Sequence, residues 1–119
     1  MPFTAKPLSG LKVIELGTLI AGPFASRICA EFGADVIKIE SPDGGDPLRK
    51  WRKLYEGTSL WWFVQARNKK SLTLNLKHPD GLAILKQLLG EADILIENFR
   101  PGVLEKLGLG WDVLHALNP

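Results

Sequence analysis

The stretch KVIELGTLIAGPFASRICAEFGADVIKIES, residues 12–41, decides the fold. Lys12-Val-Ile-Glu-Leu16 and Asp35-Val-Ile-Lys-Ile-Glu40 are short, rich in Val and Ile, and bounded by glycines, which predicts two buried strands. Between them a helix is expected: Pro23 suits its first position, where the missing N–H costs nothing, and Gly33 suits its stop. Phe24, Ile28 and Phe32 recur at four-residue spacing and predict its apolar face. The connecting turn, Gly17 to Pro23, lacks G-x-G-x-x-G, and no G-x-x-x-x-G-K-[ST] occurs in the chain. Neither a dinucleotide fingerprint nor a Walker loop therefore supports NAD or ATP.

Outward from this unit the alternation continues. Ser71 to Leu76 predicts a third strand with Leu72, Leu74 and Leu76 on one face. A helix then opens at Pro79, carries Leu82, Leu85, Leu88 and Leu89 as its stripe, and ends near Gly90. Asp93 to Glu97 predicts a fourth strand. Two short helices follow, one from Pro101 to a stop at Gly108 and one over Trp111 to Leu117. Strands alternating with helices imply parallel strands joined by right-handed crossovers, hence an α/β doubly wound sheet. Ser41 to Ser59 reads instead as a long, partly helical excursion with no clean strand, and such excursions are often functional. The chain stops on Asn118-Pro119, a helix-ending signal, and four parallel strands leave an open edge that needs cover. The sequence thus reads as the first part of something longer.

The 119 residues, 45% hydrophobic and 24% charged, have the size and balance of one globular domain, residues 1–119. No segment approaches the roughly 20 apolar residues of a spanning helix, so no membrane partner is expected. The opening MPFTAKPLSG has neither a secretory nor a transit pattern, which makes the cytoplasm the default location. A single cysteine, Cys29, has no Cys or His at metal-ligand spacing; neither a disulfide nor a metal site is expected. The net charge of +2 hides an asymmetry: Pro47 to Lys77 carries eight basic residues against Glu56 alone. Such a segment fits either a polyanionic partner or a solvated lysine-rich face. Trp61, Trp62 and Phe63 beside it fit base stacking less well than packing, so no nucleic acid is expected. His78 and His115 have no serine or cysteine tied to them by a local motif.

In open α/β sheets, ligands sit beyond the carboxyl ends of the strands, where helix N-termini offer free N–H groups to anions. Four segments qualify: Gly17–Pro23, Glu40–Gly45, Asn75–Pro79 and Asn98–Gly102. Turn chemistry explains each alone; at equivalent ends of successive strands they describe a ligand crevice.

Taken in order, LSGLKVIELGTLIAGPFASRICAEFGADVIKIESPDGGDPLR, NKKSLTLNLKHPDG, ADILIENFRPGVLEKLGLG and LNP closely resemble the opening of the family III CoA-transferases, the CaiB/BaiF group. The resemblance runs from about Leu8 to Pro119. It implies the N-terminal part of a Rossmann-like large domain, in an enzyme of two interlocked subunits that moves CoA between carboxylic acids. By resemblance, CoA is contacted by the loop Leu19-Ile20-Ala21, by Leu74, Asn75 and Lys77 at a strand end, by the turn Asn98-Phe99-Arg100, and by Lys106. Lys77, Arg100 and Lys106 would meet phosphate groups, since charge-assisted bonds to phosphate are the strong ones. CoA or acyl-CoA is substrate; no covalently bound cofactor is implied.

Two departures carry information. Formyl-CoA transferase, a family member, has a glutamine where Ile20 stands and an arginine where Ser41 stands. The apolar Ile20 argues for a bulkier acid than formate or oxalate, and loss of the arginine leaves phosphate binding to other groups, with Arg49 and Arg52 as candidates. The family's nucleophilic aspartate lies downstream of Pro119, so no catalytic residue is expected in this chain, and the isolated chain is expected to be inactive. Two alternatives stay open: the α-methylacyl-CoA racemase branch, against which GTSLWWFVQARNKK and ENF argue, and a non-catalytic remnant that binds CoA or a partner.

Overall fold

Alternation along the strands divides the molecule into two faces. The computed structural model describes residues 5–119; the first four, part of the opening read for a leader, lie outside the described residues. In chain order the elements are β1 (Lys12–Glu15), α1 (Ala21–Glu31), β2 (Asp35–Glu40), β3 (Leu54–Tyr55), β4 (Thr58–Ser59), α2 (Leu60–Gln65), β5 (Lys69–Thr73), α3 (Pro79–Gly90), β6 (Ile94–Ile96), α4 (Val103–Lys106) and α5 (Trp111–Leu117). Ile14, Leu16 and Ile39 point to one side, where they join Leu74, Leu85, Leu89, Ala92 and Leu109 in the larger core. Val13 and Val36 point to the other and meet Ala30 and Ala34. Leu85 and Leu89 belong to α3 and Ala30 to α1, so the two helices sandwich the sheet.

The sheet is parallel throughout, in the order β5-β2-β1-β6, with Val13 opposite Val36, Ile14 opposite Leu95, and Ile39 opposite Leu72. The expected α/β class and its Rossmann-like parallel sheet with flanking helices are borne out. The third strand begins two residues early, at Lys69, and ends at Thr73 rather than Leu76. The Asn75 side chain explains the early end: its Oδ1 accepts the Lys77 N–H and turns the chain away.

Three local expectations are corrected. Pro23 stands at the third helical position, after Ala21 and Gly22, where a missing N–H is equally harmless. The stripe Phe24, Ile28, Phe32 faces solvent, at 46%, 37% and 50% exposure; the buried side of α1 is Gly22, Pro23, Ser26 and Ala30. Small residues allow that helix to lie close on the sheet. The excursion after β2 contains, besides a 3-10 turn at Pro47–Lys50, a hairpin of β3 and β4 around Glu56-Gly57. Both hairpin residues have positive φ, 48° and 80°, as a type I′ loop requires. The aromatic run forms α2. Trp61 lies 6.0 Å from Trp51 between ring centroids, and the Arg49 guanidinium stacks 3.8 Å from the Trp62 ring. Packing is thus its observed role, although Trp61 and Phe63 remain largely exposed.

Candidate functional site

β1 leads to β2 on one side, whereas β5 leads by α3 to β6 on the other, so the strand order reverses between β1 and β6. That switch point is where two crossovers diverge and open a crevice beyond the strand ends. The loops bordering it follow β1, at Gly17–Ile20, and β6, at Glu97–Gly102. They are clasped together. Asn98 Oδ1 accepts the Thr18 N–H at 2.8 Å, and Asn98 Nδ2 donates to the Thr18 carbonyl at 2.9 Å. A Cβ on Gly17 would fall 2.7 Å from Gly22 Cα and 3.0 Å from Asn98 Oδ1. The two glycines let the loop fold back on the start of α1 beneath that clasp.

Under the amino end of α1 the inward strand positions are ionic. Glu15, Lys38 and Glu40 alternate with apolar neighbours and are buried, as are the side chains of Asp46 and Lys69. Lys38 Nζ lies 2.8 Å from each of Glu15 Oε1, the Gly17 carbonyl and Asp46 Oδ2. Lys69 Nζ reaches Glu15 Oε2 and the Pro23 carbonyl, both at 2.8 Å, and Ser26 Oγ donates to Glu15. Glu40 receives Arg49 through both oxygens at 2.8 Å, with Ser71 Oγ at 2.6 Å and the Asp46 N–H at 2.9 Å. With Arg49, three acids and three bases close a neutral network, the condition under which buried charge is tolerated.

Burial alone would raise the Glu40 carboxyl. The hydrogen bonds from Arg49, Ser71 and Asp46, with the Arg49 charge, more than offset it and hold the group at about 2. Arg49 is raised, first by its hydrogen bond to Glu40. Lys69 is lowered because burial outweighs the attraction of Glu15.

The sequence-predicted residues fall into three groups. Leu19, Ile20 and Ala21 stand together at the switch point beside Asn98; Ile20 and Ala21 are exposed, and Leu19 has φ 61°. Phe99 is half-buried, with its N–H on Glu97 Oε2 at 2.8 Å, while Arg100 and Lys106 are exposed on the segment beyond β6. Leu74, Asn75 and Lys77 follow β5, at the opposite edge. Three strand spacings, about 14 Å, separate the two edges. Leu74 is packed in the larger core and its N–H donates to the Glu40 carbonyl at 3.0 Å, while Lys77 is exposed. An extended ligand can lie along the row. Lys77, Arg100 and Lys106 form no ion pair among the described residues. Arg49 is committed to Glu40 and Trp62, which removes it as a replacement for the arginine absent at Ser41; Arg52 is exposed, its guanidinium 4.4 Å from the Trp51 ring.

Lys38, Asp46, Glu15 and Lys69, which shape the loop from below, were not anticipated. Their signal was the period of two in Val13-x-Glu15 and Val36-x-Lys38-x-Glu40, which aligns charge with the buried valines. A cavity of about 770 Å³ opens elsewhere, beside the unpaired edge of β6, lined by Leu95, Leu104, Trp111, Leu114 and Asn118 among others. It belongs to the sheet edge and not to the strand-end crevice.

An open parallel sheet with flanking helices and a clasped glycine loop at its switch point defines an α/β protein of the Rossmann-like kind. The chain belongs to CoA-transferase family III, whose model matches residues 8–119. It is 55% identical to the succinyl-CoA–D-citramalate CoA-transferase of Chloroflexus aurantiacus over 96% of this chain and 29% of that protein. It is 40% identical to the human succinyl-CoA:glutarate CoA-transferase over 96% of this chain and 26% of that one. A crystal structure of a CaiB/BaiF family protein from Brucella suis superposes with a TM-score of 0.88 at 40% identity, covering 98% of this chain and 32% of its own. The chain therefore spans less than a third of the length of the relatives it matches.

Proposed function

We propose that this chain is the CoA-binding N-terminal portion of an enzyme that moves CoA from an acyl-CoA thioester to a carboxylic acid. The observation that carries the reading is the clasped Gly17–Ala21 loop at the switch point of a chain belonging to this family. The N–H groups that open α1 at Ala21 and Gly22 suit a phosphate or carboxylate, and Ile20 offers apolar contact beside them. Relatives named for succinyl-CoA, citramalate, malate and glutarate support dicarboxylic acids as the donor and acceptor class. The apolar Ile20 agrees with acids larger than formate or oxalate. Those relatives are named as transferases, which favours transfer over the racemase alternative.

In this reading Leu19, Ile20 and Ala21 line the CoA path, Asn98 holds the loop, and Lys77 at one edge and Arg100 and Lys106 at the other meet separate anionic groups of an extended CoA. Leu74, Asn75 and Phe99 contribute backbone and shape. The reaction's covalent steps need a nucleophilic carboxylate, which divides one hard exchange into easier ones. Asp46 is buried against Lys38, Asp35 pairs with Lys70, and Asp93 accepts the Lys12 N–H, so these three are engaged elsewhere. The chain alone is inactive on this reading, and residues 1–119 are one incomplete domain. The complete enzyme is a cytoplasmic, interlocked homodimer, to which the exposed α1 stripe would contribute covered surface.

The test is a titration of the chain with CoA, followed by the fluorescence of Trp51, Trp61, Trp62 and Trp111. A saturable change is expected, without conversion of a mixture of succinyl-CoA and a dicarboxylate. A folded chain with no saturable change refutes an autonomous CoA site, and measurable transfer refutes the assignment of the nucleophile to a missing segment.

A further inference from the structure

Three consecutive residues of the switch-point loop have their backbone gripped by side chains from other segments. The Gly17 carbonyl is held by Lys38, both polar atoms of the Thr18 backbone by Asn98, and the Leu19 N–H by Asp46 Oδ1 at 3.1 Å. The next two residues, Ile20 and Ala21, are exposed at the crevice. Leu19 has φ 61°, a left-handed conformation unfavourable for a branched apolar residue and retained only where its surroundings impose it. Asp46 is the group best placed to impose it. The same Oδ1 accepts the Leu48 N–H at 2.8 Å, which fixes the carboxylate on its own turn, and Oδ2, without a well-angled hydrogen bond, faces the Lys38 ammonium at 2.8 Å. Lys38 thus ties the carbonyl entering the loop to the carboxylate that takes its N–H two residues later.

We propose that Asp46, braced by Lys38, is the positioning residue of the CoA-facing loop: it locks Leu19 left-handed and so aims Ile20 and Ala21 into the crevice before ligand arrives. The proposal rests on the reading of this loop as CoA-facing. Asp46 is only 3% exposed, so it acts through the loop it holds. Its effect is preorganisation, which removes the ordering cost from binding.

The test uses the whole chain with two readouts, CoA affinity by calorimetry and amide hydrogen exchange by NMR, the Leu19 N–H being compared with the β1 amides. Asp46→Ala is expected to speed Leu19 exchange at least tenfold relative to β1 and to weaken CoA at least tenfold. A merely structural role would speed both amides together. Where Asp46→Ala does not fold, Asp46→Asn replaces it. That variant keeps an acceptor for Leu19 but loses the charge facing Lys38, and a two- to fivefold loss of affinity with a smaller rise in exchange is expected. Unchanged relative exchange in the variant that folds overturns the proposal, as does faster exchange with undiminished affinity. A wild-type chain without CoA affinity overturns the CoA reading, and the exchange comparison then still decides whether Asp46 holds the loop.

Discussion

Glu40→Gln should make the stability of this protein less sensitive to acid, by an amount the structure lets one work out. The Glu40 carboxyl titrates at about 2 in the fold against 4.5 in an unstructured chain. At roughly 1.4 kcal/mol per pKa unit, its ionised form contributes about 3 kcal/mol to folding near neutral pH. Because the folded value is the lower one, that contribution is complete above 4.5 and drains away as the pH falls towards 2. The Arg49 side chain is 36% exposed and regains water when its partner is neutralised, so the substitution should fall at the low end of the roughly 3–5 kcal/mol of a fully enclosed pair. Urea unfolding followed by tryptophan fluorescence at several pH values between 7 and 2 measures the gap between wild type and variant. About 3 kcal/mol is expected at pH 7, narrowing through the window from 4.5 to 2. A gap that stays constant with pH, or one below about 1 kcal/mol at pH 7, refutes the reasoning.

Three further outcomes follow from particular contacts. Gly17→Ala drives a Cβ to 2.7 Å from Gly22 Cα, and thermal unfolding should register a loss of about 2 kcal/mol together with weaker CoA binding. Lys77→Ala in the intact enzyme should weaken CoA binding severalfold by calorimetry while leaving the unfolding free energy within about 0.5 kcal/mol of wild type, since the residue is exposed; unchanged affinity removes it from the site. The solvent-facing stripe of α1 should bind an environment-sensitive hydrophobic dye, and Ile28→Lys with Phe32→Lys should lower that signal; wild-type sedimentation as a monomer with no dye binding contradicts this.

Much of the architecture was legible because Val-Ile strands and the Pro79–Gly90 leucine stripe carry their period openly. The four strand-end loops followed from the same alternation. What escaped did so for physical reasons. Periodicity finds a stripe without saying what covers it: Phe24, Ile28 and Phe32 are regular yet exposed, while the buried side of α1 is small and partly polar, with Ser26 on Glu15. Glu15, Lys38 and Glu40 looked like interruptions of apolar runs and are inward positions, a role visible only once partners from β5 and the Asp46 turn arrive. Arg49 was free to be offered to a phosphate in one dimension; in three, Glu40 and Trp62 occupy it. The hairpin turn begins with Glu56, not the Asn or Asp that announces such loops.

The neutral ionic network under α1 has a consequence for how this protein can change over generations. Removing one of its charges leaves a partner uncompensated, a partner that is buried in every case but Arg49, whereas replacing a matched set with well-packed apolar groups carries no such penalty. Single substitutions there should each lose stability that particular pairs recover, so their effects will not add. Glu15, Lys38, Glu40, Asp46, Arg49 and Lys69 therefore form one epistatic block, inherited together or exchanged together, with the shape of the switch-point loop travelling with it.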